Sequence, residues 1–426
     1  MPSITSEEIL LNSPLNTGGQ EEVPKYERKL GKAIKTLLDA KPRFIISVDG
    51  LRRVGKTVLL KQALNRAQGK RQAFYFSFDK RSQQTAEALE QVISFFIKKD
   101  KEALICLDEV GKIDDWAGVV KKHYDRSRAA FLLSSSATLQ MKKGGESLAG
   151  RMASFTLPPM GFDEYLELSG VKKGRLHLSL ENPEHPSEFG ESLPGFLGKG
   201  AYPELCGVDD PEAIRQYVTK STVEKMIFED IPGTFRVAHP AKLLEIYNYF
   251  ASYSSEFVHE QSIAGLTGLS ALTVADYVSY LEESHLVRRV YTEANFSKMI
   301  RKKKKGFVAS PTLYSQTAPD FSAGRLVETA VFSKLSELRP LTYRDSQKRE
   351  VDFIVALGGK KHAIEVKSGK QVARSELSSM LHYLKANRRA SGCVIYQGPY
   401  DSVEVDGITI HLVPLPTFLA ADSILP

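Results

Sequence analysis

The chain has 426 residues, 42% hydrophobic and 26% charged, the composition of a globular protein of roughly two to four domains. No apolar stretch reaches bilayer length, and the first residues, Met1 to Glu8, lack the basic start and apolar core of a secretory signal. A net charge of +7 permits a polyanionic partner without requiring one, and Cys106, Cys206 and Cys393 stand far apart, outside any zinc spacing, as buried thiols of a reducing cytoplasm do.

Residues 1–27 are polar and rich in Ser, Asn, Gly and Glu, and read as a tail or docking arm. A helical pattern starts near Tyr26 and runs to Ala40. From there strand and helix alternate. Strands are predicted over 44–48, 72–78, 104–107 and 130–133, with helices over 56–67, 85–98 and 115–125. That alternation predicts a parallel α/β sheet with helices on both faces, in a core domain of residues 28–168.

The segment Gly50-Leu51-Arg52-Arg53-Val54-Gly55-Lys56-Thr57 joins the first strand to the first of these helices. Strand, glycine loop and helix are the order that a phosphate-binding P-loop needs. Glycine lets backbone N–H groups turn toward phosphate oxygens, and the helix N-terminus adds its dipole. Gly50, Arg53, Val54, Gly55, Lys56, Thr57 and Val58 would then hold ATP. Lys56 would reach the β- and γ-phosphates, and Thr57 would hold Mg²⁺. Asp108 and Glu109 end the apolar strand Leu104-Ile105-Cys106-Leu107, where α/β sheets place their ligands. Asp108 would hold Mg²⁺ and Glu109 would activate the attacking water. The strand 130–133 ends in Ser134-Ser135-Ser136, and Ser135 is the candidate sensor of the γ-phosphate or the water. Three serines also suit a turn or a helix cap.

Arg151, after Ser147-Leu148-Ala149-Gly150, is a candidate arginine finger, supplied in cis or across a subunit boundary, or else a surface arginine paired with a carboxylate. Residues 169–235 read as a helical lid and connection, irregular over 170–200 and helical over 211–230.

Residues 236–305 read as a winged helix, with helices over 241–253, 258–266 and 270–283 and a strand over 286–291. The helix from Thr273 to Tyr280 carries Asp276, with Glu282 and Glu283 after it and no arginine. It is poorly suited to phosphates, so packing as a lid or spacer is slightly preferred over DNA contact. Arg301, Lys302, Lys303, Lys304 and Lys305 form the densest charge run, expected at the wing tip or a loop beside it. Such a run is either a nucleic-acid contact or a solvated loop.

Residues 306–426 hold a second constellation. Asp352 lies in the predicted strand 349–355, and Glu365 and Lys367 share one face of the next strand. Glu328, in a helix opening at Arg325, adds a third carboxylate. Asp352 and Glu365 would hold a divalent metal for phosphodiester hydrolysis, with Lys367 stabilising charge. The alternative is a self-neutralising charge cluster on a hairpin.

With Gly50 to Thr57, Leu107-Asp108-Glu109, Ser147 to Arg151, Glu350-Val351-Asp352 and Glu365-Val366-Lys367, the chain resembles a prokaryotic family of stand-alone AAA-type ATPases. In that family a P-loop domain is followed by a winged helix and a C-terminal restriction-endonuclease-like domain. The resemblance spans about residues 28 to 420. It implies that Lys56, Thr57, Asp108 and Glu109 act in ATP chemistry, and that subunits complete one another's sites, as in a ring. The spacing of Glu328, Asp352, Glu365 and Lys367 is similar to that of archaeal Holliday-junction resolvases, which implies branched DNA as substrate. Two functions follow: an ATP-driven DNA-processing enzyme, or an ATP-dependent switch whose C-terminal domain binds a partner without cutting.

Overall fold

The computed structural model describes residues 4–40, 43–136, 148–172, 174–180 and 189–425. Ser147 therefore lies outside the described residues. The chain divides into two compact units, one of residues 1–158 with 225–238 and one of residues 159–224 with 239–426.

The first unit is built on a parallel sheet of β1 (Ile45–Asp49), β2 (Ala73–Ser77), β3 (Leu104–Asp108), β4 (Ala130–Ser134) and β5 (Met152–Thr156), in the order β2-β3-β4-β1-β5. The inner strands are apolar runs because helices cover both faces of such a sheet. Phe74, Phe76, Ile105, Leu107, Phe131 and Leu133 form one core with Leu89, Val92, Phe96, Trp116 and Val120 of the helices α4 (Ala86–Lys99) and α5 (Trp116–Arg126). The helices α2 (Leu30–Leu38) and α3 (Lys56–Ala67) also pack on the sheet. β5 carries no apolar run, since it is an edge strand with half-exposed residues, and sequence reading had not marked it.

The N-terminal arm docks on its own sheet. After α1 (Ser6–Leu11), the Asn16 amide donates to the Tyr75 carbonyl at 2.8 Å, and Tyr75 N–H donates to Asn16 Oδ1 at 2.9 Å. Ser77 N–H donates to Asn12 Oδ1 at 3.0 Å. These side-chain amides cover the free edge of β2, which is otherwise a template for unwanted pairing.

In the second unit, β6 (His177–Ser179) pairs in parallel with β15 (Ser423–Leu425). The single helix expected over 211–230 is instead the helix Pro211–Val218 followed by wider-turned pieces, Thr219–Glu224 and, in the residues assigned to the first unit, Met226–Asp230. Helices Pro240–Ser252, Glu260–Thr267 and Ala271–Glu283 lead into β7 (Val287–Tyr291), which pairs antiparallel with β8 (Lys304–Val308). The basic run is therefore not one loop. Arg301 ends the short helix Phe296–Arg301, and Lys304 and Lys305 belong to β8.

The helix Ala323–Leu335 and a six-stranded mixed sheet complete this unit. Its strands are β9 (Leu341–Arg344), β10 (Glu350–Leu357), β11 (Lys360–Val366), β12 (Ser391–Tyr396), β13 (Asp401–Val405) and β14 (Ile408–Pro414), in the order β13-β14-β12-β11-β10-β9. The helix Ser378–Ala386 covers one face through Met380 and Leu384. Among the described residues, no helix is long and apolar enough to cross a membrane.

Candidate functional site

The loop after β1 turns on three left-handed residues: Gly50 at φ +146°, Arg53 at φ +65° and Gly55 at φ +98°. Gly50 also packs against β5, where an added Cβ would stand 2.4 Å from the Leu157 carbonyl oxygen, so only glycine fits. Gly55 caps α3, whose first residue is Lys56. Lys56 is buried, and its ammonium donates to the carbonyls of Gly50 and Leu51 at 2.8 and 2.9 Å. Val54 is buried and Val58 half-buried. Arg28 holds the loop from behind, donating to the carbonyls of Val54 at 2.6 Å and Pro158 at 2.9 Å.

The carboxylates at the end of β3 face this loop. Asp108 Oδ2 accepts from the Thr57 hydroxyl and from the Tyr75 hydroxyl, both at 2.7 Å. Ser134 donates to Asp108 Oδ1 and accepts from Glu109 N–H at 3.0 Å. The Glu109 carboxylate accepts from the Ser136 hydroxyl at 3.0 Å and lies 3.7 Å from the Lys112 ammonium. Glu109 itself is left-handed, at φ +57°. The loop, the helix N-terminus and the Thr57–Asp108 pair suit a nucleotide triphosphate with Mg²⁺: N–H groups for the phosphates, an ammonium beside them, and a hydroxyl and a carboxylate for the metal.

Ser134 and Ser136 contact the carboxylates, and Ser135 is buried, with its N–H donating to the Val48 carbonyl at 3.2 Å. One expectation changes. Arg151 lies at the start of β5, where its carbonyl accepts from Ile45 N–H, and its side chain pairs with Asp125 at 3.1 Å. β1 and β5 are parallel, so Arg151 is at the opposite sheet end from the P-loop, about 16 Å away at 3.3 Å per residue. It is not a finger for its own site. Tyr75, Arg28 and Ser136 were missed because a tyrosine in a strand, an arginine in an arm and a serine in a run carry no motif.

The second constellation comes together in the other unit. Glu328 projects from its helix, Glu350 and Asp352 share one face of β10, and Glu365 stands beside them on β11. Asp352 Oδ2 accepts from Val366 N–H at 2.9 Å, and Glu365 shares a side-chain hydrogen bond with Asp352. Lys367 lies 3.8 Å from Glu365. The centre of the cluster is Lys305. Its ammonium is 3.0 Å from Glu328, 2.6 Å from Glu350 and 3.0 Å from Asp352, and its side chain is only 3% exposed. Lys305 therefore leaves the expected nucleic-acid run. Lys302, Lys303 and Lys304 line an outer recess with Arg289 and His259, while the Arg301 side chain lies outside the described residues. The expected metal ligands Asp352 and Glu365 do not fit a divalent ion in this arrangement, because an ammonium already fills the carboxylate cage. Among the described residues, no group of three or more His, Cys, Asp and Glu side chains is disposed to hold a metal.

Residues 42–166 match a family model described as an AAA domain. This part of the chain is an AAA-type P-loop domain. Residues 190–321 and 323–418 match two domains of unknown function, DUF8612 and DUF4143. The chain is similar to two uncharacterized proteins of Methanocaldococcus jannaschii. MJ1544 is 24% identical over 357 residues, covering 81% of this chain and 79% of that protein. MJ1637 is 25% identical over 405 residues, covering 86% and 83%. Among solved structures, AMPPCP-bound DnaA from Aquifex aeolicus aligns at TM-score 0.30 and 16% identity, over 64% of this chain and 91% of that one. Cdc6p from Pyrobaculum aerophilum aligns at TM-score 0.30 and 11% identity, over 66% and 91%.

In the AAA domain, burial lowers the Lys56 pKa against the pull of Glu109, Asp108 and Asp230. Burial, and then the charge of Glu109, raises that of Asp108. Both groups are thus costly to keep charged without a counter-ion, and a Mg²⁺-bound phosphate would supply one to each. In the second unit, burial opposes the charge on Lys305, but Asp352, Glu328 and Glu350 hold its pKa well above the ordinary lysine value. Burial would raise Asp352, but the charge of Lys305 and the hydrogen bonds from Glu365, Val366 N–H and Lys305 together lower it. Burial and Asp352 push Glu328 up to about 8, and push Glu365 well above the usual carboxylate range.

Proposed function

We propose that the chain is an ATP-hydrolysing AAA-type ATPase that acts on DNA, in the cytoplasm and as a ring-forming homo-oligomer. The observation that carries the ATPase reading is the assembly of Lys56, Thr57, Asp108 and Glu109 around one P-loop. ATP would lie along Gly50 to Val58, with Mg²⁺ between Thr57 and Asp108. Glu109 would orient the water, and its bond to Ser136 would release as it turns. Arg151 would then serve only a neighbouring subunit's site.

The DNA reading takes residues 236–305 as a winged helix and 306–426 as a restriction-endonuclease-like domain, with branched DNA the preferred substrate. It is supported by the recess of about 300 Å³ where Arg289, Lys302, Lys303 and Lys304 gather beside the helix Glu260–Thr267. The test is ATP turnover with linear, forked and four-way DNA. Stimulation that weakens with salt, and falls when Lys302, Lys303 and Lys304 are neutralised, supports it. Turnover indifferent to every DNA overturns it.

A second reading is favoured by Lys305. With an ammonium inside the carboxylate cluster, the C-terminal domain would bind a partner without cutting, and ATP would set its conformation. Mg²⁺-dependent cleavage of any of these DNAs, lost in Asp352→Asn, would exclude it.

A further inference from the structure

We infer that Lys305 is the resident cation of the Glu328–Glu350–Asp352–Glu365 cluster, so that the C-terminal sheet holds no divalent metal while β8 is in place. The inference deepens the second reading and rests on it for the consequence that this domain binds rather than cuts.

An ammonium has three protons and no acceptor, and three carboxylates surround this one at 2.6 to 3.0 Å. Those are hydrogen-bond lengths. Mg²⁺ would draw its oxygens to about 2.0–2.1 Å and needs six ligands in near-octahedral array, waters included. Nitrogen and metal cannot share the space. The lysine is also anchored. Phe307, two residues on and on the same face of β8, stacks on Phe332 at a centroid distance of 4.3 Å, with Phe353 at 5.7 Å. Phe332 is one helical turn from Glu328, and Phe353 follows Asp352, so the aromatic cluster and the ion cluster are held by the same elements. Between them, Gly306 brings β8 against Val258 and Phe250, where an added Cβ would come within 2.6 and 2.7 Å. The strand cannot slide by a residue without losing all three placements.

Two ammoniums, Lys305 and Lys367, face the four carboxylates, and burial with the charge of Asp352 favours a proton on Glu328 and on Glu365. Asp352 accepts from Val366 N–H and from Lys305, and Glu365, bonded to Asp352, is paired in turn with Lys367. Nearby, Glu256 and Arg325 pair with each other at 3.5 Å, and Arg344 lies over the Phe257 ring.

The experiment is a Mn²⁺ titration of the nucleotide-free full chain, with free Mn²⁺ read by electron paramagnetic resonance. Wild type and Asp352→Asn are expected to bind the same amount. Lys305→Met is expected to gain one Mn²⁺ per chain, and Mn²⁺ should raise its unfolding temperature. An Asp352-dependent Mn²⁺ in wild type overturns the inference. Should Lys305→Met fail to fold, reductive methylation of wild type decides. Lys305 stays unmodified with and without Mn²⁺ while Lys303 reacts; labelling of Lys305 on adding Mn²⁺ would show displacement and overturn the inference. Cleavage of DNA by the same wild-type sample reports separately on the binding reading, because metal can bind at Asp352 without any cut being made.

Discussion

The Tyr75 hydroxyl donates to Asp108 Oδ2 at 2.7 Å, from the neighbouring strand β2. With Ser134 on the other oxygen, it fixes the carboxylate that faces Thr57. Tyr75→Phe removes one of three donors and leaves the ring packed. Turnover of Mg²⁺-ATP is expected to fall about fivefold, near 1 kcal/mol, with the Mg²⁺ requirement rising and KM for ATP little changed. Turnover equal to wild type at all Mg²⁺ concentrations would show that Tyr75 is only a core residue.

Arg28 ties the P-loop to the end of β5 through two carbonyls, those of Val54 and Pro158. Arg28→Ala leaves both without that donor, and is expected to cost about 2–3 kcal/mol of stability and to weaken ATP binding about tenfold. Arg28→Lys should rescue little, since an ammonium lacks the planar fork that spans two acceptors. Urea unfolding and nucleotide titration of the two variants check this.

Arg52 of the P-loop pairs with Asp230 at 2.8 Å, within the same unit. The pair is partly exposed, so Asp230→Asn should lower Tm by no more than about 3 °C. It should instead loosen the loop. Release of a fluorescent ATP analogue is expected to quicken several-fold, and an unchanged rate would limit the pair to a surface contact.

Glu328 gives the stability a pH dependence of definite sign. Burial, and then the charge of Asp352, raise its pKa in the folded state to about 8 from the ordinary glutamate value of 4.5. Between those values the folded chain holds a proton that the unfolded chain has lost. Its contribution is therefore complete below the lower value and lost as pH rises toward the upper one, at up to about 1.4 kcal/mol per pH unit. Asp352 works the other way: lowered when folded, it stabilises above its ordinary pKa and stops doing so as pH falls through the depressed one. From about pH 5 to 8 the Glu328 term governs the difference between wild type and Glu328→Gln. Urea midpoints of wild type should decline across this range more steeply than those of Glu328→Gln. Parallel slopes would mean Glu328 stays ionised.

The sheet of the AAA domain was legible because each inner strand is an apolar run and the P-loop is a contiguous motif; the helix predicted over 56–67 is observed as Lys56–Ala67. β5 was not, since an edge strand with half-exposed residues has no periodic signature. Arg151 looked like a finger because nearness in sequence hides direction: its strand starts where β1 starts and ends where the phosphates would lie. Glu328, Asp352, Glu365 and Lys367 could be grouped by spacing on a helix and a hairpin. Lys305 could not, because in a run of five cations nothing local says which one is buried; Phe307 and Gly306 decide it through contacts with residues far along the chain.

The central claim is that the P-loop, Asp108 and Glu109 bind and hydrolyse ATP. The most direct measurement is ATP binding and steady-state turnover, with Mg²⁺, of wild type beside Glu109→Gln and Lys56→Ala. The account predicts that wild type binds and turns over, that Glu109→Gln binds equally and is slower by about a hundredfold or more, and that Lys56→Ala loses binding. Wild type that fails to bind ATP, or Glu109→Gln that turns over at the wild-type rate, would contradict it.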